Sequence, residues 1–74
     1  MQATPCLRVQ VTSSSICTIG YSPATQVLDV VFNRGAVYRY AGVPAPIVAG
    51  FLLAPSKGRY FNGNIRNHYA FRRV

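Results

Sequence analysis

Leu7, Val9 and Val11 alternate with Arg8 and Gln10, a period of two that belongs to a strand with one apolar face. The polar run Thr12-Ser13-Ser14-Ser15 interrupts it, and Ile16 to Tyr21 reads as a second strand. Ser22-Pro23-Ala24-Thr25 follows, with proline at the second position as a type I turn prefers. Val27 to Phe32 is the clearest strand of the chain. Asn33-Arg34-Gly35 then offers a three-residue hairpin loop with glycine at its left-handed position, and Ala36 to Tyr40 is the return strand.

Loop length sets register. The hairpin places Phe32 opposite Ala36, Val30 opposite Tyr38 and Leu28 opposite Tyr40 on one side of the sheet. Val31 with Val37, and Asp29 with Arg39, fall on the other. A four-residue first turn adds Tyr21, Ile19 and Cys17 to the Leu28 side, which is the expected core, and makes Cys17 a buried, inert thiol. The opposite side then shows Ile16, Val27, Val31 and Val37. Four aliphatic groups there call for a protein contact, a homodimer or cover by the N-terminal strand.

After Gly42 the period lengthens. Pro44 and Pro46 suit the first turn of a helix, and Ile47, Phe51 and Ala54 fall at helical spacing before Pro55 stops it. Ser56 is placed to cap a second short helix with Tyr60, Phe61 and Ile65 as its apolar stripe. Tyr69 to Val74 alternates weakly and can add a final strand. The expected fold is α+β: a small antiparallel β-meander of three to five strands, with two short helices packed on one face. Residues 13–74 form the domain, and residues 1–12 an N-terminal strand or arm.

Composition adds the chemistry. The chain has 74 residues, with eight Lys+Arg against one acid, Asp29, for a net charge of +7. A single carboxylate excludes an acidic calcium site and any paired-carboxylate mechanism. At 50% hydrophobic, the chain is no disordered basic tail. Cys6, Cys17 and the single His68 fall short of a zinc site, so no metal and no cofactor is expected. With one histidine and an acid paired to Arg39, a catalytic triad has no members to draw on, and a non-enzymatic protein is expected. The apolar run Val43 to Pro55 is too short to span a bilayer and holds three prolines, so no membrane role is expected. A cytoplasmic protein with reduced thiols is the corresponding expectation, although a Cys6–Cys17 disulfide is compatible with the sequence.

Excess positive charge favours polyanionic partners, nucleic acid first. Seven of the eight basic residues are arginine, the residue that binds phosphate bidentately and stacks on bases. In Tyr38-Arg39-Tyr40, alternation turns both tyrosines toward the core side and Arg39 away, which favours core tyrosines over an exposed stacking platform. Ser56-Lys57-Gly58-Arg59-Tyr60 opens a helix at which Lys57 and Arg59 could meet a phosphate. With Arg66, Arg72 and Arg73, five of the eight basic residues lie after Pro55. The candidate nucleic-acid contacts are therefore Arg39, Lys57, Arg59, Arg66, Arg72 and Arg73, bordered by Tyr60 and Tyr69. The alternative is a protein-interaction module or small regulator docking on an acidic surface of a larger complex.

Several segments in order carry a resemblance. They are Ser13-Ser14-Ser15-Ile16, Gly20-Tyr21-x-Pro23, Leu28-x-Val30-x-Phe32-x-x-Gly35, Val37-Tyr38-Arg39-Tyr40 and Val43-Pro44, then Ala54-Pro55-Ser56-Lys57-Gly58-x-Tyr60-Phe61 and Ile65-Arg66. This series resembles the KTSC domain across residues 13–74. That family takes its name from a C-terminal extension of some lysyl-tRNA synthetases and includes small free-standing proteins of bacteria and phages. The attachment to a synthetase implies RNA as a partner. Pro46, Val48 and Ala49 depart from the family pattern by making the first helix more apolar, which favours a protein contact there.

Overall fold

The computed structural model describes residues 7–11, 13 and 15–74, with residues 7–10 described by their backbone alone. Five strands, β1 (Leu7–Gln10), β2 (Ile16–Ser22), β3 (Val27–Phe32), β4 (Val37–Tyr40) and β5 (Phe71–Arg73), form one antiparallel sheet in sequential order. Between β4 and β5 the chain crosses one face as α1 (Ala45–Leu53) and the four-residue α2 (Lys57–Tyr60). α2 continues into a wide π-helical turn, Phe61–Ile65. The fold is α+β, with an open meander backed by two helices.

The central hairpin has the register its loop length requires. Leu28 pairs with Tyr40, Asp29 with Arg39, Val30 with Tyr38 and Val31 with Val37. Gly35 takes φ +93° at the bend, where a side chain would be strained. Alternation carries Ile19, Tyr21, Leu28, Val30 and Tyr40 onto the helix side. There they are buried with Ile16, Val43, Val48, Phe51, Phe61 and Ile65. Tyr21 reaches across this core to donate its hydroxyl to the Val43 carbonyl at 2.6 Å, fixing the point where the chain leaves the sheet.

Two side assignments change at one bulge. Ile16 pairs with Phe32 and Thr18 with Val31, so two residue steps on β2 match one on β3. The extra residue is Cys17, which is exposed, and Ile16 swings into the core at 1% exposure. The bulge sits where Ser13 Oγ accepts from the Ser15 and Ile16 amides, a local turn that resets the alternation. β1 also departs from a covering role. It hydrogen-bonds beside β2 and widens the sheet, so it does not lie across the Val27, Val31 and Val37 face. Cys6, and with it any pairing to Cys17, lies outside the described residues.

The helical face follows from packing. Val48 and Phe51 supply the buried side of α1, with Ile47 and Leu52 half-buried beside them. Ala54 takes no part in the stripe because it is already extended, at ψ 134°. Among the described residues no helix is long and apolar enough to cross a membrane.

Candidate functional site

The sheet is wider than the helices that cover it. Past Phe61 the inner face of β3, β4 and β5 runs out from under them and becomes the floor of an open groove of about 760 Å³. Phe32, Tyr38, Tyr40, Phe61 and Phe71 line it. Their rings form a continuous series: Phe32 meets Tyr38 and Phe61 edge-on at 5.7 and 5.4 Å. Phe71 lies over Tyr38 and Tyr40 at 5.8 and 5.3 Å. Tyr40 is buried at the base, whereas Phe71 is 53% exposed. An aromatic residue left open on a strand beside four others is costly as packing and useful as a stacking surface.

The rim is polar and cationic. Asn33 and Arg34 rise from the hairpin loop, and Asn62, Arg66 and Asn67 from the π-helical turn and the bend after it. The turn closes with the Arg66 amide donating to the Phe61 carbonyl at 2.8 Å, five residues back. Widening the turn keeps Phe61 and Ile65 in the core while Asn62, Arg66 and Asn67 face the groove. Asn67 holds φ +68°, a left-handed bend that asparagine tolerates. No acidic side chain lines the groove. Burial pushes the Tyr40 hydroxyl pKa up, Tyr38 adds to the shift, and Arg66 opposes it. The Tyr40 hydroxyl therefore lies within electrostatic reach of both Tyr38 and the Arg66 guanidinium.

The candidate contacts read from sequence divide. Arg66 lines the groove, and Arg73 pairs with Tyr38, which places it on the same side of the sheet. Arg39 and Arg72 pair with each other and face the opposite side. There Arg39 grips both carboxylate oxygens of Asp29 at 2.9 and 3.1 Å. Arg59 is exposed away from the groove lining. Tyr69 is half-buried against the core. Among the described residues no group of three His, Cys, Asp or Glu side chains is gathered as a metal site would need.

The Ser-Lys-Gly-x-Tyr-Phe segment is explained by architecture. Ser56 Oγ accepts from the Arg59 amide at 3.3 Å, the cap its position predicts. Lys57 Nζ donates to the Ala54 carbonyl at 2.6 Å, closing the end of α1. A Cβ on Gly58 would come within 3.2 Å of Ser15 Oγ, so glycine lets α2 settle against the loop before β2. Tyr60 stacks on Phe51 at 5.6 Å, with its hydroxyl on the Ile47 carbonyl at 2.8 Å. Phe61 then reaches the core and the groove together. Sequence reasoning missed Arg34, Asn62, Asn67, Phe32 and Phe71. The register of the last strand was the available signal, since pairing β5 with β4 sets Phe71 beside Tyr40.

Comparison with known proteins agrees with this architecture. An uncharacterized protein of Stutzerimonas stutzeri is 44% identical over 68 residues, covering 90% of this chain and 96% of its own. A lysine–tRNA ligase of Nostoc sp. is 35% identical over 54 residues, which are 73% of this chain but 10% of the ligase. The crystal structure of a KTSC domain protein from Yersinia pestis superposes with a TM-score of 0.88 at 38% identity, covering 95% of this chain and 99% of that one. The family model of the KTSC domain matches residues 12–69, and the chain belongs to the KTSC domain family.

Proposed function

We propose that this protein is a non-catalytic module that binds RNA or other single-stranded nucleic acid in the aromatic groove. The observation that carries the reading is the groove itself, which has an aromatic floor with Phe71 exposed, Arg34 and Arg66 at its rim, and no acidic side chain in its lining. Unpaired bases present π-faces to such a floor, and arginines at its border hold the phosphates between them. The chain's one acid is paired to Arg39 on the far side of the sheet, so the groove is free of its charge. The similarity to a segment of a lysine–tRNA ligase supports an RNA partner.

Anisotropy of a labelled single-stranded RNA, titrated at several salt concentrations, tests the proposal. Affinity is expected to fall with salt at a log–log slope of about −0.7 per phosphate contacted. Phe71→Ala is expected to weaken binding by about 1–3 kcal/mol. Arg34→Ala and Arg66→Ala should each make the slope shallower by about 0.7. Absence of binding at low salt, or wild-type affinity in all three variants, would sink the proposal.

The half-buried face of Val27, Val31 and Val37 favours a second reading, a protein-interaction module. That reading predicts a salt-tolerant complex that survives nuclease treatment and is lost in Val31→Asp.

A further inference from the structure

Resting on the nucleic-acid reading, we infer that the base of the groove seats a terminal phosphate, held by the hydroxyls of Tyr38 and Tyr40 and the Arg66 guanidinium. All three residues line the groove. Tyr40 is 2% exposed, yet its hydroxyl has no hydrogen-bond partner among the described residues. The other tyrosines packed under the helices are committed: Tyr21 donates to the Val43 carbonyl and Tyr60 to the Ile47 carbonyl. Ser22 Oγ is the one side-chain oxygen or nitrogen sealed away without a partner among the described residues. The Tyr40 hydroxyl is therefore not sealed, and the little of this residue that stays open faces the groove. A donor so buried and unpaired costs stability until something bonds it.

The three donors define what that ligand is. Tyr38 and Tyr40 stand on the same side of β4, opposite Arg73 and Phe71 of β5. Protonated phenols can donate, and a guanidinium only donates. The groove lining holds no acid, and the chain's one acidic side chain is bound to Arg39 on the other side of the sheet, so nothing there offsets the charge of Arg66. A base edge brings no charge to meet it. A phosphodiester inside a strand brings two unesterified oxygens and one charge, whereas a phosphate monoester brings three and close to two charges at pH 7. Three acceptor oxygens then face three donor groups. A monoester also carries chain on one side alone, so it can enter above the buried Tyr40 and Phe61 while its nucleotide stacks on Phe71, whose ring lies 5.3 Å from that of Tyr40. The same phosphate occurs at a strand end and on a free nucleotide.

The test compares a short uridine RNA ending in hydroxyls with versions phosphorylated at one end or the other. A phosphorylated strand is expected to bind at least about tenfold tighter than the hydroxyl strand, the scale of one hydrogen bond to a charged group. Tyr40→Phe removes a hydroxyl and no charge, so it separates a built seat from general attraction to a charged end. It should reduce the advantage by about fivefold, and so should Tyr38→Phe, which removes a half-buried hydroxyl from the same face. Competition by uridine monophosphate locates the source. Displacement at concentrations near the strand's own Kd points to a free nucleotide, and displacement only far above it to a strand end. Equal affinity for all the strands, or an advantage undiminished in both phenylalanine variants, overturns the inference. So does a phosphoserine peptide that displaces the strand as well as uridine monophosphate does. Equal affinity with a steep salt slope leaves the binding function standing, whereas no binding to any strand removes both.

Discussion

Tyr40 concentrates the conflict between packing and polarity that runs through the groove. Its ring meets Phe61 at 5.6 Å and Phe71 at 5.3 Å, and the residue is 2% exposed. Burial raises its pKa above the ordinary 10.0, so an unfolded chain gives up this proton before the folded one does. Stability from this residue is therefore complete below about pH 10 and declines as pH climbs through the raised folded value. Tyr40→Phe lacks the proton, and urea unfolding at pH 8 and pH 11 should show the variant gaining on the wild type as pH rises. A difference that stays constant between the two pH values would show that burial does not hold the hydroxyl protonated. At this scale the sequence was readable where strand alternation decides. The Asp29–Arg39 pair and the buried Tyr40 both follow from a three-residue loop. Cys17 was not readable, because its exposure depends on Ser13 bonding two amides ahead of the strand, and periodicity carries no trace of that.

The corner between α1 and α2 shows how an element is fixed by one missing side chain. Gly50 faces the Tyr60 phenol so closely that a Cβ there would overlap its oxygen. The approach lets Tyr60 reach the Ile47 carbonyl and stack on Phe51. Gly50→Ala gains helix propensity but must displace a ring that is held at both ends. A net loss of roughly 1–3 kcal/mol is expected in chemical denaturation. A variant as stable as the wild type would show that the corner yields at little cost. The starts of both helices and the stop of the first were legible from Pro44, Ser56 and Pro55. The widened turn at Phe61–Ile65 was not, since a four-residue spacing of apolar side chains also fits an ordinary α-helix. Its effect on Asn62, Arg66 and Asn67 explains why the groove rim escaped a reading based on stripes.

Across the whole molecule, charge is in excess and almost unopposed. A net charge of +7 spread over 74 residues repels itself, and Arg39–Asp29 is the ion pair seen among the described residues. Screening should therefore stabilise the fold. Raising NaCl from 20 to 500 mM is expected to increase Tm by about 4–8 °C, the equivalent of about 1 kcal/mol for a domain this size. A fall in Tm would mean that attractive pairs outweigh the repulsion. The α+β class and the meander were legible because neighbouring strands pair in chain order. The groove was not, because it arises only when β5 returns to β4 after the helices. That strand order has a consequence for what a label at one end of the sheet would meet. β1 and β5 are the two rims of the sheet, and the groove opens toward the β5 rim, where Phe71 lines it. Three strands separate the β1 rim from the strand that carries Phe71. A bulky group fixed to Val74, the residue after β5, would therefore stand beside the opening.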